Sequence, residues 1–245
     1  MKENKIRILS TRPLEQPLVE QLEDQGIAAD SMAFIDIKAT TDPELKKEIA
    51  QLSNQKKIVV FTSLHAVATV RTALNNKKPA WQIFCLGSAT RKKVSEVFGS
   101  ESIAGSADTA KSLADLMVVH NIVGEVLFFC GNRRREELPL HLARHQIEVR
   151  EKIVYETRLT PHAVSEIYDG TLFFSPSGVK SFFSLNQPEP GTVLFAIGDT
   201  TANEIKKYSS NKIVVSDRPA TENLMSTVIK FFHSNALPID HPQST

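Results

Sequence analysis

Short apolar runs alternate with helix-length stretches along the whole chain. Residues 58–61, Ile-Val-Val-Phe, are continuously apolar, as strands buried on both faces of a parallel sheet are. Runs near 5–9, 82–86, 101–104, 125–130, 171–174, 192–197 and 212–215 predict further strands. Two extended stretches are longer, at 27–39 and 147–157. Leu14, Leu18, Val19 and Leu22 recur at helical spacing before Gly26 ends the helix. Further helices are expected over 43–52, 65–74, 89–97, 109–119, 134–144, 161–168, 177–185, 200–208 and 220–233. Asp42 is placed to cap the first of these, with Pro43 at the first helical position. The polar tail from Leu237 is expected to fray.

Each strand ends in a small, polar turn that opens a helix. These turns are Ser10-Thr11-Arg12, Thr62-Ser63, Gly87-Ser88-Ala89-Thr90, Cys130-Gly131-Asn132-Arg133, Ser175-Pro176-Ser177-Gly178 and Gly198-Asp199-Thr200-Thr201. In an open parallel sheet such turns line one rim, outside the carboxyl ends of the strands, where ligands bind. Backbone N–H groups at helix N-termini make that rim attractive to anions. The expected site is built from amides and hydroxyls, without a metal cage or an obvious nucleophile.

The series is written twice. Phe174-Ser175 with Val179 stands about 113 places after Phe61-Thr62 with Ala66 and Val67. Leu194 to Gly198 with Thr200-Thr201 echoes Ile83 to Gly87 with Ala89-Thr90, and Leu18, Leu22 and Ile27 reappear as Leu138, Leu142 and Ile147. A repeat this long means duplicated domains, not a solenoid. If the two long strands each leave one sheet and enter the other, the chain crosses between domains twice. The expected division is 1–37 plus 155–245 for a discontinuous first domain and 38–154 for a continuous second. The crossings fall at about 32–39 and 151–158, and the ligand would lie between two facing rims. Tandem domains joined near 121–124 are the alternative.

With 245 residues, 41% of them hydrophobic, the chain can bury one large core or two smaller ones. Lys plus Arg number 29 and Asp plus Glu 28, so no global field favours nucleic acid or an anionic membrane. No apolar run approaches a membrane span, and the Met1-Lys2-Glu3-Asn4-Lys5 start lacks a signal-peptide pattern. Cys85 and Cys130 form no CxxC pair and read as buried thiols of a reducing compartment. A cytoplasmic protein, with monomer as the default, is expected. None of the seven histidines falls at a metal-ligand spacing with Cys or Asp.

Seven strings, in order, resemble the uroporphyrinogen-III synthase family. They are Val59-Val60-Phe61-Thr62-Ser63, Leu86-Gly87-Ser88-Ala89-Thr90, Phe129-Cys130-Gly131-Asn132-Arg133-Arg134 and Val154-Tyr155-Glu156-Thr157. Phe173 to Gly178, Ala196 to Ala202 and Ala220-Thr221-Glu222-Asn223-Leu224 complete the set. The resemblance implies an α/β fold of two similar domains, each a parallel sheet flanked by helices in a doubly wound, flavodoxin-like arrangement. A two-stranded β linker would join them. It also implies conversion of hydroxymethylbilane, a polyanionic linear tetrapyrrole, to uroporphyrinogen III. Ring D is inverted through a spiro intermediate with loss of water, and no metal or organic cofactor takes part.

The same resemblance makes Tyr155 a catalytic candidate, as donor to the departing hydroxyl, and Thr201 a second. Thr200 is first of all a candidate N-cap. Thr62, Ser63, Thr90, Ser175 and Ser177 are expected to hold carboxylates, with Gly131 and Asn132 doing so through their backbone. Arg12 and Arg133 could reach propionates, since guanidinium pairs well with carboxylate. Arg133-Arg134-Arg135 and Arg91-Lys92-Lys93 are expected to begin helices, with Arg134, Arg135, Lys92 and Lys93 on a solvated face. Tyr168 and Tyr208 are expected near helix ends. Leu64-His65 departs from the family's continuation, and His65 receives no role. A two-lobed anion sensor without chemistry is the alternative function. A phosphate-transferring enzyme would need GxGxxG or GxxxxGK[ST], and neither occurs.

Overall fold

A computed structural model describes residues 6–234. Met1 to Lys5, and with them the start of the first expected strand, lie outside the described residues, as does the tail from Leu237. In chain order the first elements are β1 (Ile6–Ser10), α1 (Gln16–Glu23), β2 (Ile27–Ser31), β3 (Ile35–Ala39), α2 (Pro43–Leu52), β4 (Lys57–Phe61) and α3 (Leu64–Ala73). There follow β5 (Trp81–Leu86), α4 (Ser88–Phe98), β6 (Ile103–Ala107), α5 (Ala110–Val119), β7 (Glu125–Gly131), α6 (Glu137–Arg144) and β8 (Glu148–Leu159). The last are β9 (Gly170–Phe173), α7 (Pro176–Phe183), β10 (Val193–Ala196), α8 (Asp199–Ile205), β11 (Ile213–Val215) and α9 (Thr221–Ser234). The chain divides into two compact units, Met1–Asp36 with Arg158–Thr245 and Ile37–Thr157. It leaves the first within β3 and returns within β8.

The first unit's sheet has the order β11-β10-β9-β1-β2, with every pair parallel. The second has β3-β8-β7-β4-β5-β6, parallel from β8 to β6. Setting β3 aside, the two orders correspond strand for strand: β2 with β8, β1 with β7, β9 with β4, β10 with β5 and β11 with β6. The correspondence is the duplicated sequence seen in space. It is the doubly wound 2-1-3-4-5 order, with the second unit's strands taken in permuted chain order.

Apolar runs form the middle of both sheets because each strand feeds a core on either face. In β4, Val59 and Phe61 enter one cluster and Val60 the other, all fully buried. In β10, Phe195 packs on one side while Leu194 and Ala196 pack on the other. Removing a ring such as Phe61 or Phe195 would cost about 3–5 kcal/mol. Helix starts follow side-chain caps: Asp42 accepts from the Glu44 N–H, Ser63 from His65, Thr109 from Ser112 and Ser175 from Gly178. Cys85 and Cys130 are buried free thiols, pushed up by desolvation to about 12 and about 11 respectively.

Four expectations meet a different structure. The 27–39 stretch is two strands, interrupted where the buried Phe34 packs edge-on against His162 and Phe182. Residues 161–168 form no helix, so Tyr168 is not at a helix end. The repeat would place α2's counterpart there. Instead Asn186 accepts from the Val164 N–H and donates to the His162 carbonyl, while Asp169 accepts from the Arg7 N–H. Long-range bonds outweigh the local helical signal. The helix expected from 134 begins at Glu137, which leaves Arg133 to Arg135 in the preceding turn. Arg134 is half-buried and not on a freely solvated face, because it pairs with Glu151 and Glu136 at 2.6 Å each. Finally, α8 is entered through Gly198, not capped by Thr200.

Candidate active site

A doubly wound sheet binds ligands outside the carboxyl ends of the strands where the strand order reverses. That reversal falls between β7 and β4 in one unit and between β1 and β9 in the other.

In the second unit, Gly131-Asn132-Arg133 leaves β7 and Thr62-Ser63 leaves β4, with Tyr155 of β8 beside them. The Tyr155 hydroxyl donates to Ser63 Oγ at 3.1 Å. Its ring lies against Gly131, where any Cβ would collide with Cζ, Cε2 and Oη. Glycine at 131 is therefore a requirement of the tyrosine's seat. Burial raises the Tyr155 pKa, partly offset by the Ser63 bond, so the phenol is protonated at neutral pH. Ser63 Oγ also accepts from the His65 N–H at 3.2 Å. A hydroxyl has two lone pairs and one proton. Both lone pairs are engaged here, which leaves the Ser63 proton for an external acceptor. His65 lies close as well, its ring 5.6 Å from that of Tyr155.

The turn itself is tied to β8. The Asn132 N–H donates to the Tyr155 carbonyl at 3.2 Å, so that amide already has a partner within the protein. Asn132 Oδ1 accepts from the Thr157 N–H at 2.8 Å, and Arg133 Nε donates to the Thr157 carbonyl at 3.1 Å. Thr62 is half-buried at the end of β4. Thr90 sits in the first turn of α4 at 5% exposure, behind Gly87, whose φ of +83° suits glycine.

In the first unit, Arg12 follows β1 and lies over the Phe174 ring, 4.0 Å from guanidinium carbon to ring centroid. Its Nη2 donates to Thr221 Oγ1 at 2.5 Å, yet the residue stays exposed. Thr11 is buried and donates to the Leu172 carbonyl at 2.7 Å. Ser175 caps α7 and Ser177 is half-buried in its first turn. Along the rim at α8, Thr200 is exposed, whereas Thr201 is 3% exposed and its N–H donates to the Gly198 carbonyl.

Thus the structure brings Tyr155, Ser63, Gly131, Asn132 and Arg133 together, and separately Arg12 with Phe174 and Thr221. Sequence reading missed Phe174, Thr221, Thr157 and the nearness of His65. Each becomes visible only when residues distant in the chain meet. Among the described residues no group of three or more His, Cys, Asp or Glu could hold a metal ion, and no helix is long and apolar enough to cross a membrane.

Two doubly wound units whose reversal points offer hydroxyls, a protonated phenol and a guanidinium define an α/β protein suited to an anionic small molecule. A family model described as HEM4, Uroporphyrinogen-III synthase HemD, matches residues 16–226, and the chain belongs to that family. It is similar to the uroporphyrinogen-III synthase of Schizosaccharomyces pombe, 22% identical over 241 residues, covering 90% of this chain and 94% of the relative. Among solved structures, a mutant uroporphyrinogen III synthase from the extremely thermophilic bacterium Thermus thermophilus aligns with a TM-score of 0.67 at 16% identity, covering 94% of this chain and 98% of that one. The Helicobacter pylori uroporphyrinogen-III synthetase aligns at 0.63 and 16%, covering 92% and 99%.

Proposed function

We propose that this chain closes hydroxymethylbilane to uroporphyrinogen III, with Tyr155 as the proton donor to the departing hydroxyl. The observation that carries the assignment is the phenol's seat: protonated, half-buried, and hydrogen-bonded to Ser63 at the strand-order reversal. When substrate binds, the phenol proton turns from Ser63 Oγ to the leaving hydroxyl, and the C–O bond breaks to give water, tyrosinate and an electrophilic N-protonated azafulvene (azafulvenium). The substituted carbon of ring D attacks it to form the spiro intermediate. Fragmentation and reclosure invert the ring, and the proton shed by the pyrrole carbon at closure restores the tyrosine. The pyrroles supply the reactivity, so the protein's part is to hold the chain folded and aim the attack.

The substrate's carboxylates call for donors, and both rims offer them. Arg12 supports one through a guanidinium placed over the Phe174 ring, and Thr62, Ser63, Ser175 and Ser177 supply hydroxyls at helix starts. Of the threonine pair in α8 we assign substrate contact to the exposed Thr200, and to Thr201 the packing of that helix.

The test is incubation with enzymatically generated hydroxymethylbilane and separation of the oxidised product isomers. Isomer III is expected in excess. A folded protein that leaves only isomer I, the product of uncatalysed closure, would overturn the assignment.

A further inference from the structure

We propose that Asn132 is a positioning residue for Tyr155, acting through its side-chain oxygen and not as a contact to substrate. The inference rests on the reading of Tyr155 as proton donor. Strand β7 pairs with β8 in regular register up to Cys130 opposite Ile153, and then Gly131 opposes Tyr155. Val154 is the extra residue. Its consequence is visible in packing: Val154 and Tyr155, neighbours in sequence, both lie against the same core. A regular strand sends neighbours to opposite faces. The bulge is what turns Tyr155 toward Ser63.

A bulge at the end of a ladder must be pinned on its far side too. Strand β7 stops at Gly131, while β8 runs on to Leu159. Beyond Tyr155, side chains of the departing turn take over the ladder's bonds. Asn132 Oδ1 receives the Thr157 N–H, Arg133 Nε reaches the Thr157 carbonyl, and the Asn132 N–H holds the carbonyl of Tyr155 itself. Thr157 is 8% exposed, so its peptide group has little water to turn to if these bonds are lost. Asn132 thus grips β8 on both sides of residue 156. Only an acceptor at the Oδ1 position is needed for the side-chain part of this grip.

That requirement separates positioning from substrate contact. Asn132→Ala removes the acceptor and should lower kcat by about ten- to a hundredfold, the scale of a 1 Å misplacement of a reacting group. KM should change by less than about twofold, because the anion-holding donors remain. Asn132→Asp keeps the acceptor and should restore most of kcat. In a Tyr155→Phe background, Asn132→Ala should cost little more, since both act through one group. If Asn132 instead contacts a carboxylate, Ala raises KM and Asp, being anionic, raises it further; that result overturns the proposal. A slow Tyr155→Phe with a wild-type Asn132→Ala removes the positioning role and leaves the tyrosine reading intact. A wild-type rate for Tyr155→Phe removes both. Thermal melts check folding, and should Asn132→Ala not fold, Asn132→Ser, whose hydroxyl is too short to reach Thr157, is measured on the same terms.

Discussion

The two strand-order reversals share a topology and differ in chemistry. At β7/β4 a phenol is fixed by directional bonds: Ser63 on its hydroxyl, Gly131 against its ring, and a turn tied to its strand. At β1/β9 a guanidinium rests on a ring face, with one hydrogen bond to Thr221. The first arrangement holds a proton in one direction and at hydrogen-bond reach, as acid assistance requires. The second places a charge that a carboxylate can pair with, held by a ring face and a single hydroxyl. The two units present equivalent rims, and on the proposed reading their different side chains give one the chemistry and the other the recognition.

The sharpest way to break this division is Tyr155→Phe. It should lower kcat by about a hundredfold, the low end of general acid assistance, with KM nearly unchanged and more isomer I in the product. An unaltered rate and isomer ratio would return Tyr155 to packing. The same residue has an alkaline signature. Burial keeps its proton bound in the folded state above pH about 10, where the unfolded chain's tyrosine ionises. The stability lost with that proton is complete below that pH and disappears as pH climbs through the raised value. Melts of the Phe variant should lack this part of the alkaline decline.

Arg12→Met should do the reverse, raising KM about tenfold or more with kcat little changed, as expected for loss of a charge-assisted bond. A loss confined to kcat would move Arg12 from recognition to chemistry. Next in size is a paired test of two caps. Ser63→Ala and Ser175→Ala each remove a helix cap worth about 1 kcal/mol, read as a lowered Tm. Only Ser63 also receives the tyrosine proton, so only Ser63→Ala should lower kcat, by about three- to tenfold. Equal kinetic losses would erase the distinction between the rims. The smallest effect belongs to α8: Thr200→Val should raise KM about threefold, while Thr201→Val should leave KM alone and change Tm. The opposite pattern would give the substrate contact to Thr201.

Much of the fold was legible because its signals are local. Asp42, Ser63, Thr109 and Ser175 announce helix starts through bonds spanning two or three residues. The 58–61 run announces a doubly buried strand, and the repeated strings matched strands to strands across the two sheets. The failures share a different cause. Residues 161–168 carry a proline start and apolar spacing, yet Asn186 and the Asp169 bond to β1 hold them irregular. Glu137, not Arg134, opens α6, because Arg134 is drawn to Glu151 on a neighbouring strand. Tyr155 could be named from its string, but its orientation depends on a register shift that no single strand encodes. Arg12, Phe174 and Thr221 meet across more than 160 residues of chain, beyond any local pattern.

The insertion of one unit within the other also sets an order of events during synthesis. Ser10 of β1 pairs with Leu172, so the first strand to leave the ribosome waits for some 160 further residues before its central partner exists. At roughly 5–20 residues per second, that is about 8–30 s. Until then β1 and β2 are a two-stranded fragment, too small to be stable alone. The contiguous stretch from Ile37 to Thr157 has all its strands by the time β8 emerges and can fold meanwhile. For most of that interval the second unit is itself incomplete, and a finished unit coexists with the exposed parallel pair only over the last stretch from Thr157 to Leu172, roughly 1–3 s.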